Sequence, residues 1–254
     1  MTCSGSRPDK PDTAAVRSVQ RGRYVVRPAQ GEGDREAVEV LRLRSFGQAG
    51  MRDGFDATAQ QIMIEDSTSG ALVCSYRLQE TESKALPASH AAQHYDLRRL
   101  MDFKGPMLEL GRFCMDPARH DPDILRAAWG SITDLVDRRG IRLLFGCSSF
   151  AGTDPAPYGA AFALLAERYL APPRLQVARR APAIVDLTAE AAPQPSGAEG
   201  LRNMPPLLRS YLLMGGRVSD HAVVDHAMNT LHVFTGLEIS AIPASRKKLL
   251  RALV

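Results

Sequence analysis

Glu109 and Arg112 interrupt an otherwise apolar run, Leu108-Glu109-Leu110-Gly111-Arg112-Phe113-Cys114. A charge inside a core strand is costly unless it is paired or used. Desolvation raises the pKa of a carboxylate, so a partly buried glutamate suits a base that takes a proton from an ammonium nucleophile. On an unbroken strand, side chains alternate between faces, which sends residues 109 and 112 to opposite sides. A structural ion pair is the other use open to the same two residues.

A second cluster comprises Arg42, Phe46, Asp53, Phe55 and Asp56. Two carboxylates three residues apart in a glycine- and aspartate-rich loop, 47–56, can hold a cationic substrate or simply build a turn. Tyr76-Arg77-Leu78 ends an apolar strand in a guanidinium, which either binds an anion or is solvated at a sheet edge. The four cysteines, Cys3, Cys74, Cys114 and Cys147, contain no CxxC pair and read as reduced thiols. Neither Cys114 nor Cys147 has a base beside it in sequence, so small buried side chains are expected rather than nucleophiles. His221 and His226 are five apart, and His90 and His94 lie in a polar stretch. No metal site is expected from these spacings.

These residues need elements to position them. Tyr24 to Val26 is a strand signal, and Asp34 can cap a helix with Val38, Leu41 and Phe46 on one face. Ile62 to Ile64 and Leu72 to Tyr76, joined by a polar segment ending in Gly70, read as a hairpin. A helical stretch follows around 96–101, and Met107 to Met115 alternates as a strand. Asp121-Pro122 starts a helix through Arg139, with Ile124, Trp129, Ile132 and Leu135 on one stripe, and Gly140 ends it. Ile141 to Cys147 is a buried strand, 155–170 a helix, and Ala181 to Leu187 a strand. Pro205-Pro206 opens a helix ending near Gly215, strand signals follow at 222–224 and 232–234, and a basic helix closes the chain from Ser245. This order implies a mixed α/β (α+β) fold: a central, partly parallel sheet with helices on both faces. The expected organisation is a disordered tail at 1–20 and a single domain over 21–254, with a flexible linker near 189–203.

A chain of 254 residues, 44% hydrophobic, can bury the core of one large domain. No apolar run approaches a membrane span, and the polar start lacks the apolar core of a signal peptide, so a cytoplasmic protein is expected. The formal charge of +4 leans towards an anionic partner. The basic residues are scattered in pairs, though, and no nucleic-acid recognition motif is present. An acidic carrier protein or an anionic membrane surface fits this balance just as well as nucleic acid.

In order and spacing, Arg42-xxx-Phe46, Asp53-Gly-Phe-Asp56, Tyr76-Arg77-Leu78 and Glu109-Leu-Gly-Arg112-Phe113 resemble acyl-homoserine-lactone synthases. They resemble equally the related ornithine Nα-acyltransferases of ornithine-lipid synthesis. The shared half spans about residues 23–150. Pro205-Pro206-Leu207-Leu208-Arg209-Ser210-Tyr211-Leu212 and the later Asp225, Asn229 and Thr230 are similar to the ornithine-acyltransferase family alone. Met228 stands where that family usually has phenylalanine, and the tryptophan that lactone synthases carry after Phe46 is missing.

The resemblance implies a GNAT-like fold with no bound cofactor. It implies a (3-hydroxy) fatty acyl donor carried as a phosphopantetheine thioester on acyl carrier protein, and L-ornithine as acceptor. The product would be a lyso-ornithine lipid, released with possible peripheral contact with the inner membrane. Catalysis falls to Glu109 and Arg112. Arg42, Phe46, Asp53, Asp56 and Arg77 bind substrate, with Asp53 or Asp56 on the cationic side chain and Arg77 or Arg112 on the α-carboxylate. Phe113, Cys114, Met115 and Arg119 meet the acyl-pantetheine, and helix 155–170 with residues 205–214 lines an acyl tunnel. Members of the fold that use acetyl-CoA carry a glycine-rich pyrophosphate loop, whereas Met115 to Asp123 contains no glycine. A lactone-synthase-like enzyme and a catalytically idle carrier- or lipid-binding module are the alternatives.

Overall fold

The computed structural model describes residues 16–189 and 197–254. Its strands are β1 (Val19–Arg21), β2 (Tyr24–Pro28), β3 (Gln60–Asp66), β4 (Leu72–Thr81), β5 (Tyr95–Asp96), β6 (Met107–Met115), β7 (Leu143–Ala151), β8 (Ala178–Arg179), β9 (Ile184–Asp186), β10 (Arg217–Asp225) and β11 (Thr230–Glu238). Its helices are α1 (Gly31–Phe46), α2 (Pro122–Arg139), α3 (Gly159–Arg168), α4 (Gly197–Arg202), α5 (Pro206–Leu213) and α6 (Ala244–Arg251). Among the described residues, nine strands form one sheet in the order β1-β2-β3-β4-β6-β7-β11-β10-β9, and β5 and β8 pair separately. Among the described strands of the large sheet only β6 and β7 pair in parallel with each other, connected through α2 as a parallel pair requires.

Local chemistry accounts for the elements that matter to the site. Asp121 caps α2 by accepting the Asp123 N–H, Pro122 occupies the first turn, and Gly140 ends the helix at φ 62°. Between β3 and β4 the Asp66 carboxylate accepts the Thr68 N–H. Ile62 and Ile64 point into the cluster beneath Ile124, Ile132 and Leu135 of α2. The alternate residue Gln61 meets Arg42 of α1, so α1 and α2 cover opposite faces of the sheet.

The chain is ordered further towards its start than expected. Residues 1–15 of the anticipated tail lie outside the described residues, but Val16 is buried and Val19–Arg21 pairs with β2. Of the anticipated linker, 190–196 lie outside the described residues, and Gly197–Arg202 is helix α4, packed on α3. Among the described residues no helix is long and apolar enough to cross a membrane.

The parallel pairing of β6 with β7 runs only from Met107↔Leu143 to Leu110↔Gly146, after which the two strands separate. Gly146 sits at the point of separation, where a Cβ would lie 2.2 Å from the Leu110 carbonyl oxygen. Backbone cannot yield as a flexible side chain can. Gly146→Ala is therefore expected to lower stability by about 1–3 kcal/mol, as overpacking does, read as a lower urea midpoint at unchanged slope. An unchanged midpoint would contradict the need for glycine there.

Candidate active site

Between the separating strands lies a cavity of about 280 Å³. One wall is β6, from Glu109 to Met115, and the facing wall is Gly146 to Ser149 of β7. Phe46, Leu125 and Pro205 to Leu208 with Tyr211 supply an apolar flank, while Asp225, Met228, Thr230 and His232 complete the lining.

Glu109 and Arg112 do not point to opposite faces. Arg77 pairs with Gly111 and Ser75 with Cys114, so Tyr76 alone faces both Arg112 and Phe113, which is a β-bulge. Arg112 takes up the extra residue at φ 51°, a left-handed conformation rare outside glycine. The bulge turns its guanidinium to the side of Arg77 and Glu109.

Glu109 is 6% exposed. Its two oxygens accept the backbone N–H groups of His90 (3.1 Å) and Ala91 (2.7 Å). Burial raises its pKa, and those two hydrogen bonds only partly offset the rise. Among the described residues it has no ion-pair partner.

Asp53 and Asp56 are not at the cavity wall, and neither is available to a cationic substrate, because three arginines occupy them. Arg42 binds Asp56 through both ends of its guanidinium, at 2.8 and 3.2 Å, and also donates to Gln61. Arg77 Nη1 donates to Asp53 at 2.6 Å and to Asp56 at 3.0 Å. Arg112 Nη2 donates to the other Asp53 oxygen at 2.8 Å, and its Nη1 donates to the Ala49 carbonyl. Three cations against two anions suit a carboxylate ligand, not an ammonium, and Arg112 is the member that reaches the cavity.

Burial pushes the Asp53 carboxyl up, but the bonds from Arg77 and Arg112 outweigh it and hold its pKa well below the carboxylate range. Asp56 is lowered in the same way, with burial outweighed by Arg42. A carboxyl with a depressed folded pKa contributes stability above its unfolded value, near 3.9, and loses it as pH falls towards the folded value. The thermal midpoint is thus expected to drop steeply as pH is lowered from about 5 to about 2. A midpoint flat across that range would contradict the network.

The remaining expected site residues divide. Phe46, Phe113 and Met115 line the cavity. Cys114 is turned away, with Sγ 3.6 Å from the Ser75 carbonyl, and burial raises its pKa to about 11. Arg119 lies outside the cavity and half-exposed, 3.8 Å from Asp66. Cys147 does line it, yet burial pushes this thiol far up, the opposite of an activated nucleophile. Phe162, Leu164 and Leu165 of α3 pack in the core rather than along the cavity, whereas Pro205 to Tyr211 do line it.

Sequence reasoning missed His90 and His232, which line the cavity, and His94 beside them. Asp225 entered only by resemblance. The edge of β6 is also informative: Asp116 N–H donates to Val73 of β4, so alternation directs the Met115 and Phe113 amides towards the open side.

A sheet split beside the parallel pair of β6 and β7, with a charged wall and an apolar flank, is the framework of an acyltransferase of the GNAT fold. The family model for the acetyltransferase (GNAT) domain matches residues 17–130. The GphF GNAT-like decarboxylase aligns at a TM-score of 0.50 and 17% identity, covering 84% of this chain and 98% of that one. The loading GNATL domain of CurA from Lyngbya majuscula also gives 0.50, at 11% identity, covering 85% and 98%. More specifically, the chain is 30% identical over 244 residues to an L-ornithine N(alpha)-acyltransferase of Rhodobacter capsulatus, covering 93% of this chain and 91% of that protein. An enzyme of the same name from Brucella abortus is 30% identical over 241 residues, covering 90% and 82%. The chain belongs to this family of L-ornithine N(alpha)-acyltransferases.

Proposed function

We propose that the chain transfers a fatty acyl group, 3-hydroxylated by family resemblance, from acyl carrier protein to the α-amine of L-ornithine. The product is a lyso-ornithine lipid. The observation that carries this reading is the cavity itself, where an unpaired buried carboxylate and a guanidinium stand at one end and an apolar flank at the other.

The thioester lies along the open edge of β6, where the Phe113 or Met115 N–H polarises its carbonyl. The substrate α-carboxylate sits against Arg112, which has a surplus cationic network behind it. Glu109, directly or through a water, takes a proton from the α-ammonium. The freed amine attacks the thioester carbon, the C–N bond forms, the C–S bond breaks, and the carrier thiol leaves with a proton. The high thiol pKa of Cys147 favours this direct aminolysis over a covalent route. The acyl chain lies against Phe46, Leu125, Pro206, Leu207 and Tyr211.

A carrier-bound donor is supported by the start of α2, where pyrophosphate would have to sit. The Asp121 carboxylate already accepts the Asp123 N–H there and takes a hydrogen bond from Tyr24 at 2.6 Å. An anion would face that carboxylate. The discriminating experiment compares 3-hydroxyacyl carrier protein with the matching acyl-CoA at equal concentration, with ornithine as acceptor. The carrier-bound donor is expected to be used at least ~100-fold more efficiently, because the diphosphate must displace an existing cap. Equal use of acyl-CoA would overturn the donor assignment.

A further inference from the structure

Around the end of β10, His94, Asp225 and His232 each present one acceptor atom, all within 4.8 Å of one another. The network around Asp53 does not include them. Asp225, at the end of β10, accepts the Met228 N–H at 3.0 Å, and among the described residues no arginine or lysine pairs with it. Its charge therefore has no cationic side chain paired with it at the cavity wall.

Each neutral imidazole beside it carries one acceptor nitrogen, and in His232 a hydrogen bond fixes which one. Tyr95, itself fully buried, donates its single hydroxyl proton to the His232 carbonyl at 2.7 Å. Its oxygen lies 3.0 Å from His232 Nδ1, so that contact requires the proton on Nδ1 and leaves a lone pair on Nε2. The His94 ring stands edge-on to His232, centroids 4.8 Å apart. Burial lowers the pKa of both rings, that of His232 to about 3, so both are neutral at physiological pH.

Donor and acceptor chemistry says what such a triad can hold, provided the spacing admits it. Three acceptors, each about 2.9 Å from a tetrahedral –NH₃⁺, lie about 4.7 Å apart. Three zinc ligands at about 2.0–2.1 Å lie about 3.4 Å apart. The observed span of up to 4.8 Å admits the ammonium spacing. An ammonium has three N–H donors and no acceptor, matching one carboxylate and two lone pairs. Position fits as well: Arg112 Nη1 touches Met228 Sδ in the turn that Asp225 caps, so sites for a carboxylate and an ammonium flank one stretch of cavity.

We infer that His94, Asp225 and His232 form a recognition pocket for the side-chain ammonium of the acceptor, selecting a diamino acid over a neutral amino acid. The inference rests on the acyl-transfer reading above and assigns the ammonium to Asp225 in place of Asp53 and Asp56.

The test is steady-state kinetics of the full chain with ornithine and with norvaline, which has the same carbon skeleton without the side-chain amine. The wild type is expected to favour ornithine by about 100-fold or more in kcat/KM, as a site with a buried polar group rejects an analogue that leaves it unpaired. Asp225→Asn is expected to erase most of that preference through a higher KM for ornithine, and His232→Gln to reduce it by about 10-fold. Norvaline turnover by each variant reports that it is folded. Equal use of both acceptors by the wild type, or full discrimination retained by Asp225→Asn, would overturn the pocket. So would one equivalent of zinc retained through dialysis by the wild type and lost in Asp225→Asn, which would make the triad a metal site.

If the wild type acylates neither acceptor, the acyl-transfer reading fails and calorimetry decides the pocket alone. Ornithine binding that norvaline does not show and Asp225→Asn abolishes supports it. The lack of such binding overturns it.

Discussion

Glu109→Gln lowers kcat by about 10²–10⁴, the range a positioned general base contributes, while the KM for ornithine changes little. The substitution keeps the size of the side chain and removes its charge and basicity. The wild-type carboxylate accepts two backbone N–H groups, from His90 and Ala91. An amide can accept only one of them well, so a stability loss of about 1–3 kcal/mol accompanies the kinetic one. The pH profile separates the two effects. A base must be ionised, and burial raises the pKa of Glu109, so the activity of the wild type falls on the acid side at a higher pH than a free glutamate would give. The residual activity of Glu109→Gln lacks that limb. A variant with wild-type kcat, or with the acid limb unchanged, would remove Glu109 from the base role.

Asp53→Ala has its main effect on the fold. It strips an anion from two guanidinium groups at once, Arg77 at 2.6 Å and Arg112 at 2.8 Å, of which Arg77 is almost fully buried. Breaking a buried pair by removing one partner costs roughly 3–5 kcal/mol, because the remaining charge is uncompensated. Arg112 also loses a tether that holds its left-handed bulge, so the carboxylate-binding guanidinium leaves its place in the cavity. Urea unfolding of Asp53→Ala measures the first effect, and the KM for the acceptor the second. Asp137→Ala, which breaks an exposed pair with Arg251, is the control and should be nearly silent. Equal effects for the two variants would contradict a buried network.

Legibility in the sequence follows the range of the physics involved. Helix α2 is readable because its cap, its Pro122, its apolar stripe and its Gly140 are all local. Strand β6 is readable from the alternation over Met107–Met115. Its bulge is not, because Gly111-Arg112 carries no signal that an arginine will adopt φ 51°. That one residue reverses the expected relation between Glu109 and Arg112. Asp53 and Asp56 are conspicuous as residues, but their partners are not. Arg112 joins Asp53 across 59 positions, and only the folded sheet shows that three arginines already hold both carboxylates. The histidine cluster is the extreme case, since His232 is locked by Tyr95, 137 positions away. Spacing rules that look for neighbouring ligands pass over such a site.

The most direct test of the central claim is mass spectrometry of the full chain incubated with 3-hydroxyacyl carrier protein and ornithine, with S-adenosylmethionine as the competing acceptor. The expected product is ornithine acylated on its α-nitrogen, located by fragmentation, with no acyl-homoserine lactone. A lactone, or an acyl group on the side-chain nitrogen, would contradict the assignment of the cavity. No product from either acceptor, with carrier protein still bound, would leave a binding module that keeps the fold without the chemistry.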